Sequence, residues 1–204
     1  VEVVNGDWLT ELIRQCAHPG GAAICGAMLW YPDETIQHAG IVTGLGGYAG
    51  HSHKYKKKGG SGYLFRTSTV QDFSGVTGAC LLVKTAVYDE MHGLDEQFAV
   101  AFNDVDFCLR VRDAGYRIAW TPYAELIHYE SKSRGGDEKD PVKAARFAAE
   151  QQRLYTIHGK DNILDDPYYN PNLTRDREDF SESDDLRRLK EGRVTVRFRG
   201  GTLQ

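Results

Sequence analysis

The chain has no apolar run that approaches the ~18 residues of a membrane-spanning helix, and its first residues have neither the charge nor the apolar core of a secretory leader. Cysteine is sparse: Cys16, Cys25, Cys80 and Cys108 are the four, and no two stand as C-x-x-C. That spacing argues against a zinc ribbon or a dithiol redox centre. All but Cys16 sit in apolar runs and read as buried, reduced thiols, which suits a cytosolic setting. Positive charge is in the minority, with 25 Lys and Arg against 29 Asp and Glu, a net charge of −4. Nucleic-acid binding by bulk electrostatics is thereby disfavoured, and only a local basic patch could do it. There is no nucleotide P-loop, no Ser/His/Asp order and no internal repeat.

What is present reads as one packed domain with an appended tail, since 204 residues suffice for a single core. Val1-Glu2-Val3-Val4 resembles the end of a strand. Asn5 or Asp7 can cap a helix to Cys16, with Leu9, Leu12, Ile13 and Cys16 as its apolar stripe. Residues 22–31 form a nearly continuous apolar run, the pattern of a strand buried on both faces. A Pro-Asp-Glu turn then leads to a second strand, "TIQHAGIV", pairing as a hairpin with the first. Residues 43–63 hold seven glycines and no periodicity, which reads as a long functional or disordered loop. "FSGVTGACLLVKT" predicts a buried strand running into a helix to Met91, and residues 116–130 predict strand, turn, strand. Asp140 and Pro141 open a helix to His158 by the usual capping chemistry. The polar stretch beyond Gly159 reads as peripheral and partly mobile, with "VTVRF" as a short strand candidate. Strands and helices mix without a strict βαβ repeat, so the fold class is α/β with a partly antiparallel sheet.

The stretch "FNDVDFCLRVRDAG" opens a helix with two carboxylates. With Asn103 as its cap, Asp106 has a structural explanation: it can reach back to the cap and pair with Arg110 four residues on. Asp104 has none. Helical spacing aligns it with Cys108 and Val111 on the apolar side, about 200° from Asp106. A carboxylate at a helix start, favoured by the dipole and desolvated by an apolar face, is a common placement for a general base. Two helix-start acids without catalytic work is the other reading of the same spacing.

Beyond spacing, residues 73–135, "FSGVTGACLLVKTAVYDEMHGLDEQFAVAFNDVDFCLRVRDAGYRIAWTPYAELIHYESKSRG", resemble the C-terminal half of family 2 glycosyltransferases of the GT-A fold, in a likeness that runs from Val1 to about Arg134. The likeness is to bacterial enzymes of O-antigen and rhamnosyl transfer, and "DPYYNPNL" looks like the tail such enzymes carry. The resemblance implies a partial GT-A, Rossmann-like domain with a mixed sheet and its N-terminal nucleotide-binding half missing. Residues 1–136 would be the C-terminal part of that domain, and residues 137–204 a helix plus polar extension. The family's acidic motif, usually Glu-Asp-x-Asp-Leu, falls on Asn103-Asp104-Val105-Asp106-Phe107, with Asn103 replacing the Glu. It implies that Asp104 is the catalytic base of an inverting transfer from a nucleotide-diphosphate sugar to a saccharide or lipid-linked acceptor. Asn103, Asp106, Arg110, Gly78 and Ala79 would support the acceptor.

The same resemblance makes His128 one ligand of a Mg²⁺ or Mn²⁺ ion in the full-length enzyme, held chiefly by an Asp-x-Asp motif upstream of Val1. Ser131, Ser133 and Arg134 would contact the donor diphosphate; a solvated polar loop is the alternative. A fragment of this kind is expected to be inactive alone. "HSHKYKKKGG" reads either as a patch for a lipid diphosphate or anionic membrane surface, or as a solvated loop. Further expectations are no nucleic-acid partner, peripheral membrane association and self-association. A non-catalytic carbohydrate-binding or scaffold module on the same fold is the rival reading.

Overall fold

A computed structural model describes residues 1–129 and 140–183, together with the backbone of Arg197–Phe198 and Gly201–Thr202. The chain runs β1 (Glu2–Val3), α1 (Trp8–Ala17), β2 (Ile24–Trp30), β3 (Ile36–His38), β4 (Ile41–Thr43) and β5 (Ala49–His51). It continues with β6 (Gln71–Asp72), β7 (Leu81–Val83), α2 (Thr85–Glu90), α3 (Asn103–Asp113) and β8 (Ile118–Ile127). α4 (Pro141–His158), α5 (Lys160–Leu164), β9 (Arg197–Phe198) and β10 (Gly201–Thr202) follow.

The apolar run of residues 22–31 builds the centre of the sheet. β2 pairs parallel with β8 and antiparallel with β3 and β7, while β1 and β6 pair antiparallel with β8. Alternation along β2 sends Cys25, Ala27 and Leu29 into the layer under α1, with Leu12 and Cys16. Ile24, Met28 and Trp30 go to the opposite core, which α3 covers with Phe107, Cys108 and Val111. Gly26 is there because of close approach: a Cβ on it would lie 2.5 Å from the Cβ of Val76. The result is a mixed α/β fold with a mixed sheet, consistent with a Rossmann-like arrangement.

Several expectations are corrected. Within residues 116–129, Ile118–Ile127 form one strand, not strand, turn, strand. Opposite β2 the register steps from Ala27↔Thr121 to Met28↔Glu125, so Pro122, Tyr123 and Ala124 bulge out without ending the pairing. "TIQHAGIV" breaks at Gly40 (φ 96°), and its second half pairs with β5 rather than with β2. The stripe of α1 is narrower than its spacing implied: Leu12 and Cys16 are buried, whereas Leu9 and Ile13 are exposed. Only Leu81–Val83 of "FSGVTGACLLVKT" is strand, and α2 ends at Glu90.

The glycine-rich stretch is ordered because the tail packs on it. Asp166 accepts from Thr43 N–H (2.7 Å), Gly46 N–H donates to Arg175 C=O (2.8 Å), and His53 N–H donates to Glu178 C=O (2.8 Å). Phe180 stacks on His53 with centroids 4.2 Å apart, and Tyr169, Leu173 and Phe180 belong to the main core. The tail to residue 183 is therefore core-forming rather than peripheral. Asp140 caps α4 as expected, accepting from Val142 N–H at 2.9 Å. Of "VTVRF", Arg197–Phe198 is a strand paired with Gly201–Thr202. Among the described residues no helix is long and apolar enough to cross a membrane.

Candidate active site

α3 starts one residue earlier than the sequence suggests. Phe102, in the left-handed region (φ 62°), precedes it, and Asn103 is the first helical residue rather than the cap. The Asn103 side chain accepts from Asp104 N–H at 2.7 Å. The left-handed turn at Phe102 buries that ring among Val105, Leu109 and Phe98, and this sets where the helix begins.

The two carboxylates part company. Asp106 is 1% exposed and makes no cap. Its Oδ2 accepts from Arg110 Nε at 2.9 Å, and its Oδ1 lies 2.9 Å from Nε2 of His158, the last residue of α4. Arg110 also donates to the carbonyls of Met91 (2.6 Å) and Gly93 (2.9 Å), so it braces the loop after α2. Asp104 is half-buried and, contrary to expectation, has a partner: Gly78 N–H donates to its Oδ2 at 2.9 Å. Its Oδ1 accepts from Val105 N–H at 2.9 Å. One turn on, Cys108 packs against the same loop, within hydrogen-bonding reach of Val76, and burial pushes its thiol up to about 12. Cys16, Cys25 and Cys108 are buried free thiols, and Cys80 is a partly buried one.

Asp104 opens on a cavity of about 140 Å³, between α3 and the β4–β5 hairpin, lined also by Ile41, Ala49, Gly50, His51, Phe102 and Val105. Behind it stand further histidines that sequence reasoning did not single out. His38, fully buried on β3, has its Nδ1 2.8 Å from Nδ1 of His51 on β5. Burial, then the nearby His51 and His128, hold His38 well below the usual histidine range. His128 continues β8 past its end, donating its backbone N–H to Trp30 C=O at 2.9 Å.

Asp104, Gly78 and His128 are thus brought into one neighbourhood, joined there by His38 and His51. Ala79 packs instead with the layer under α1, and Asp106 and Arg110 are structural neighbours of the cavity rather than part of its wall. Ser131, Ser133 and Arg134 lie outside the described residues. His38 fell in the expected second strand and His51 at the start of "HSHKYKKKGG" in the expected loop, and their contact between β3 and β5 is not local information.

Among the described residues no three His, Cys, Asp or Glu side chains gather to hold a metal ion. Of the expected Mg²⁺ or Mn²⁺ site, the described residues include the one predicted ligand, His128.

No family model matches the chain. It is 48% identical over 184 residues to a protein of Sinorhizobium fredii named "Uncharacterized protein y4gI", covering 88% of this chain and 20% of that protein. It is 35% identical over 175 residues to the O-antigen biosynthesis protein RfbC of Myxococcus xanthus, covering 85% of this chain and 13% of RfbC. Over 80 residues it is 32% identical to N-acetylglucosaminyl-diphospho-decaprenol L-rhamnosyltransferase of Mycobacterium tuberculosis, 39% of this chain and 24% of that enzyme. The chain therefore spans a fifth or less of the length of the first two relatives. The names of the latter two suggest a glycosyltransferase-like family.

Proposed function

We propose that the chain is the catalysis- and acceptor-side part of an inverting glycosyltransferase of family 2, acting in O-antigen or related surface polysaccharide synthesis. The donor would be a nucleotide-diphosphate sugar and the acceptor a saccharide or lipid-linked saccharide. The observation that carries this reading is the placement of Asp104: a half-buried carboxylate, oriented by Gly78 N–H, on the wall of a cavity. Its neighbour Asp106 is committed to Arg110 and His158, so Asp104 is the acid of the pair left to meet a ligand. The names and identities of the relatives support the same class.

In the reaction, Asp104 takes the proton of an acceptor hydroxyl as its oxygen attacks the anomeric carbon from the face opposite the diphosphate. The new C–O bond forms as the bond to the diphosphate breaks, and the electron pair leaves with the nucleoside diphosphate. Gly78 N–H and the Val105 amide fix the carboxylate, so little orientation is lost at the moment of transfer. Phe102, Ile41 and Val105 give the cavity an apolar wall that sheds water.

The test is sugar transfer by the full protein from a panel of uridine, thymidine and guanosine diphosphate sugars, with Asp104→Asn alongside. Loss of a general base lowers the rate by ~10²–10⁴-fold. The melting temperature should fall only slightly, because the amide leaves one of two backbone donors without its acceptor at a half-exposed site. A variant that keeps near-normal turnover refutes the assignment, and saccharide binding without turnover in the native protein favours a carbohydrate-binding module instead.

A further inference from the structure

Residues 51–70 carry Lys54, Lys56, Lys57, Lys58 and Arg66 and not one Asp or Glu, in a chain of net charge −4. The same stretch exposes three large apolar side chains: Leu64 is 75% exposed, Phe65 66% and Tyr55 65%. Each of the three stands on left-handed backbone, with φ of 47°, 61° and 65°. That conformation favours Gly or Asn, and Leu and Phe adopt it only under constraint. Neither the core nor solubility gains from placing them so. Strain of this kind is kept where it serves a site.

The tips are held out by an ordered frame. Tyr63 N–H donates to Nε2 of buried His53 at 3.0 Å, which ties the two limbs of the segment together. Thr67 donates through its N–H to Ser61 C=O (3.1 Å) and through Oγ1 to Gly60 C=O (2.8 Å). Arg66 N–H and Ser68 N–H close turns onto the carbonyls of Tyr63 and Phe65, both at 2.9 Å. Lys54 and Tyr55 follow directly on His53, and Leu64 and Phe65 on Tyr63, so charge and apolar tips leave one junction. The Lys56 stem lies over Gly60, where a Cβ would come within 2.8 Å of its Cε. The cations are not equal. Arg66 lies over the rings of Phe73 and Phe180 inside the fold, and Lys58 pairs with Glu125 at 2.9 Å. Lys54, Lys56 and Lys57 are left to the surface, Lys57 within range of exposed Asp33.

We propose that this surface binds an anionic lipid bilayer. Leu64 and Phe65 enter the boundary between headgroups and acyl chains, Tyr55 lies at headgroup level, and Lys54, Lys56 and Lys57 meet lipid phosphates. Lysines suit that place because their stems follow the apolar tips while the ammonium groups stay in water. A protein partner fits less well, since the cores of such interfaces are depleted in lysine and larger than three side chains. A nucleic acid would stack on flat rings, and the most exposed of the three tips is the aliphatic Leu64. The segment follows directly on β5, whose Ala49, Gly50 and His51 line the Asp104 cavity, so the surface and the cavity share one stretch of chain. The proposal does not rest on Asp104 being a base.

The test is sedimentation of the full protein with vesicles of phosphatidylcholine, alone or mixed in equal parts with phosphatidylglycerol. The native protein should bind the mixed vesicles and leave the neutral ones. The double variant Leu64→Asn, Phe65→Asn should bind about 10-fold more weakly or worse, the effect of withholding even one such side chain from an apolar phase. It should melt no lower than the native protein, because Asn tolerates left-handed backbone. Lys54→Gln, Lys56→Gln and Lys57→Gln together should lose about 100-fold, near 5-fold for each charge. Asp104→Asn should bind as the native protein does, so failure of the transfer reaction leaves this surface standing.

An independent readout is Phe65→Trp, whose added indole emission should shift to the blue with mixed vesicles and be quenched by lipids brominated on the acyl chains. No binding of the native protein to mixed vesicles overturns the proposal. So does binding that needs the lysines but not Leu64 and Phe65, which is charge attraction alone. Self-association without lipid that the Asn pair abolishes, with no vesicle binding, would make this face a contact between copies of the protein and overturns it as well.

Discussion

Oδ1 of Asp106 lies 2.9 Å from Nε2 of His158, joining the first turn of α3 to the last residue of α4 across 52 positions of sequence. The same carboxylate holds Arg110, which in turn holds the carbonyls of Met91 and Gly93. One side chain thereby fastens three segments around the helix that presents Asp104.

Asp106→Asn should therefore act on stability first. The amide keeps one acceptor, but removes the charge facing a partly exposed Arg110. Breaking a fully buried pair costs about 3–5 kcal/mol, and Arg110 retains two carbonyls and some solvent, so about 2–3 kcal/mol is expected. Urea unfolding measures it. A change below about 0.5 kcal/mol together with strong inactivation would mean that Asp106, not Asp104, meets the acceptor.

Acid should loosen the packing of the tail on the hairpin through His53. Burial, then the charges of Lys56 and Arg66, push this imidazole down to about 4. Between its ordinary value near 6.5 and about 4, the unfolded chain takes up a proton that the folded one refuses. The stability from this group is present above pH 6.5 and is lost as pH falls toward 4, by roughly 2–3 kcal/mol at pH 4.5. His38 acts in the same direction. Unfolding free energies at pH 7 and 4.5 should fall further for the native chain than for His53→Gln, whose carbonyl can still accept from Tyr63 N–H. Equal losses would show that His53 does not titrate as described.

Legibility in the sequence followed the range of the interactions. β2 was readable because a strand buried on both faces leaves a continuous apolar run, and α4 because Asp140 and Pro141 act within their own turn. The order of residues 43–63 was not, since it comes from Asp166, Arg175, Glu178 and Phe180, more than 100 positions away. Of the site, Asp104 was marked by its place on the helix. Its partner Gly78 came from family likeness, and nothing local marked His38 or His51. The start of α3 was misplaced by one residue because Phe102 adopts a left-handed conformation that only tertiary packing supports.

Two glycines near the site should respond in opposite ways. Gly26→Ala puts a methyl 2.5 Å from Val76, in a core with no room to give, and should cost about 1–3 kcal/mol. Gly78→Ala places its methyl 3.6 Å from the Cβ of Asp104, an ordinary contact, and keeps the N–H that orients the carboxylate. Its stability should change by no more than about 0.5 kcal/mol, and activity should persist. Thermal melts of both variants, with turnover of the second, decide it. Inactive but stable Gly78→Ala would mean that the space beside Asp104 is itself part of the acceptor site.

The segment entering α3 depends on α4 for its shape. Glu150, buried on α4, accepts from Val100 N–H (3.2 Å) with one oxygen and from Ala101 N–H (2.8 Å) with the other. Arg153, one turn on, holds Asp95 at 2.5 Å, and the pair keeps the Asp95 carboxyl below the usual carboxylate range. These contacts stand directly before Phe102, whose strained turn aims Asp104. Glu150→Gln leaves one acceptor for two amides and turns an NH₂ toward a backbone donor, leaving a buried N–H unsatisfied. Such a group costs about 1–3 kcal/mol. Because the loss falls on the turn that positions Asp104, turnover should drop by more than the stability change explains, with near-normal affinity for the donor. Full activity in Glu150→Gln at temperatures well below its melting point would show that the start of α3 holds its geometry without this clamp.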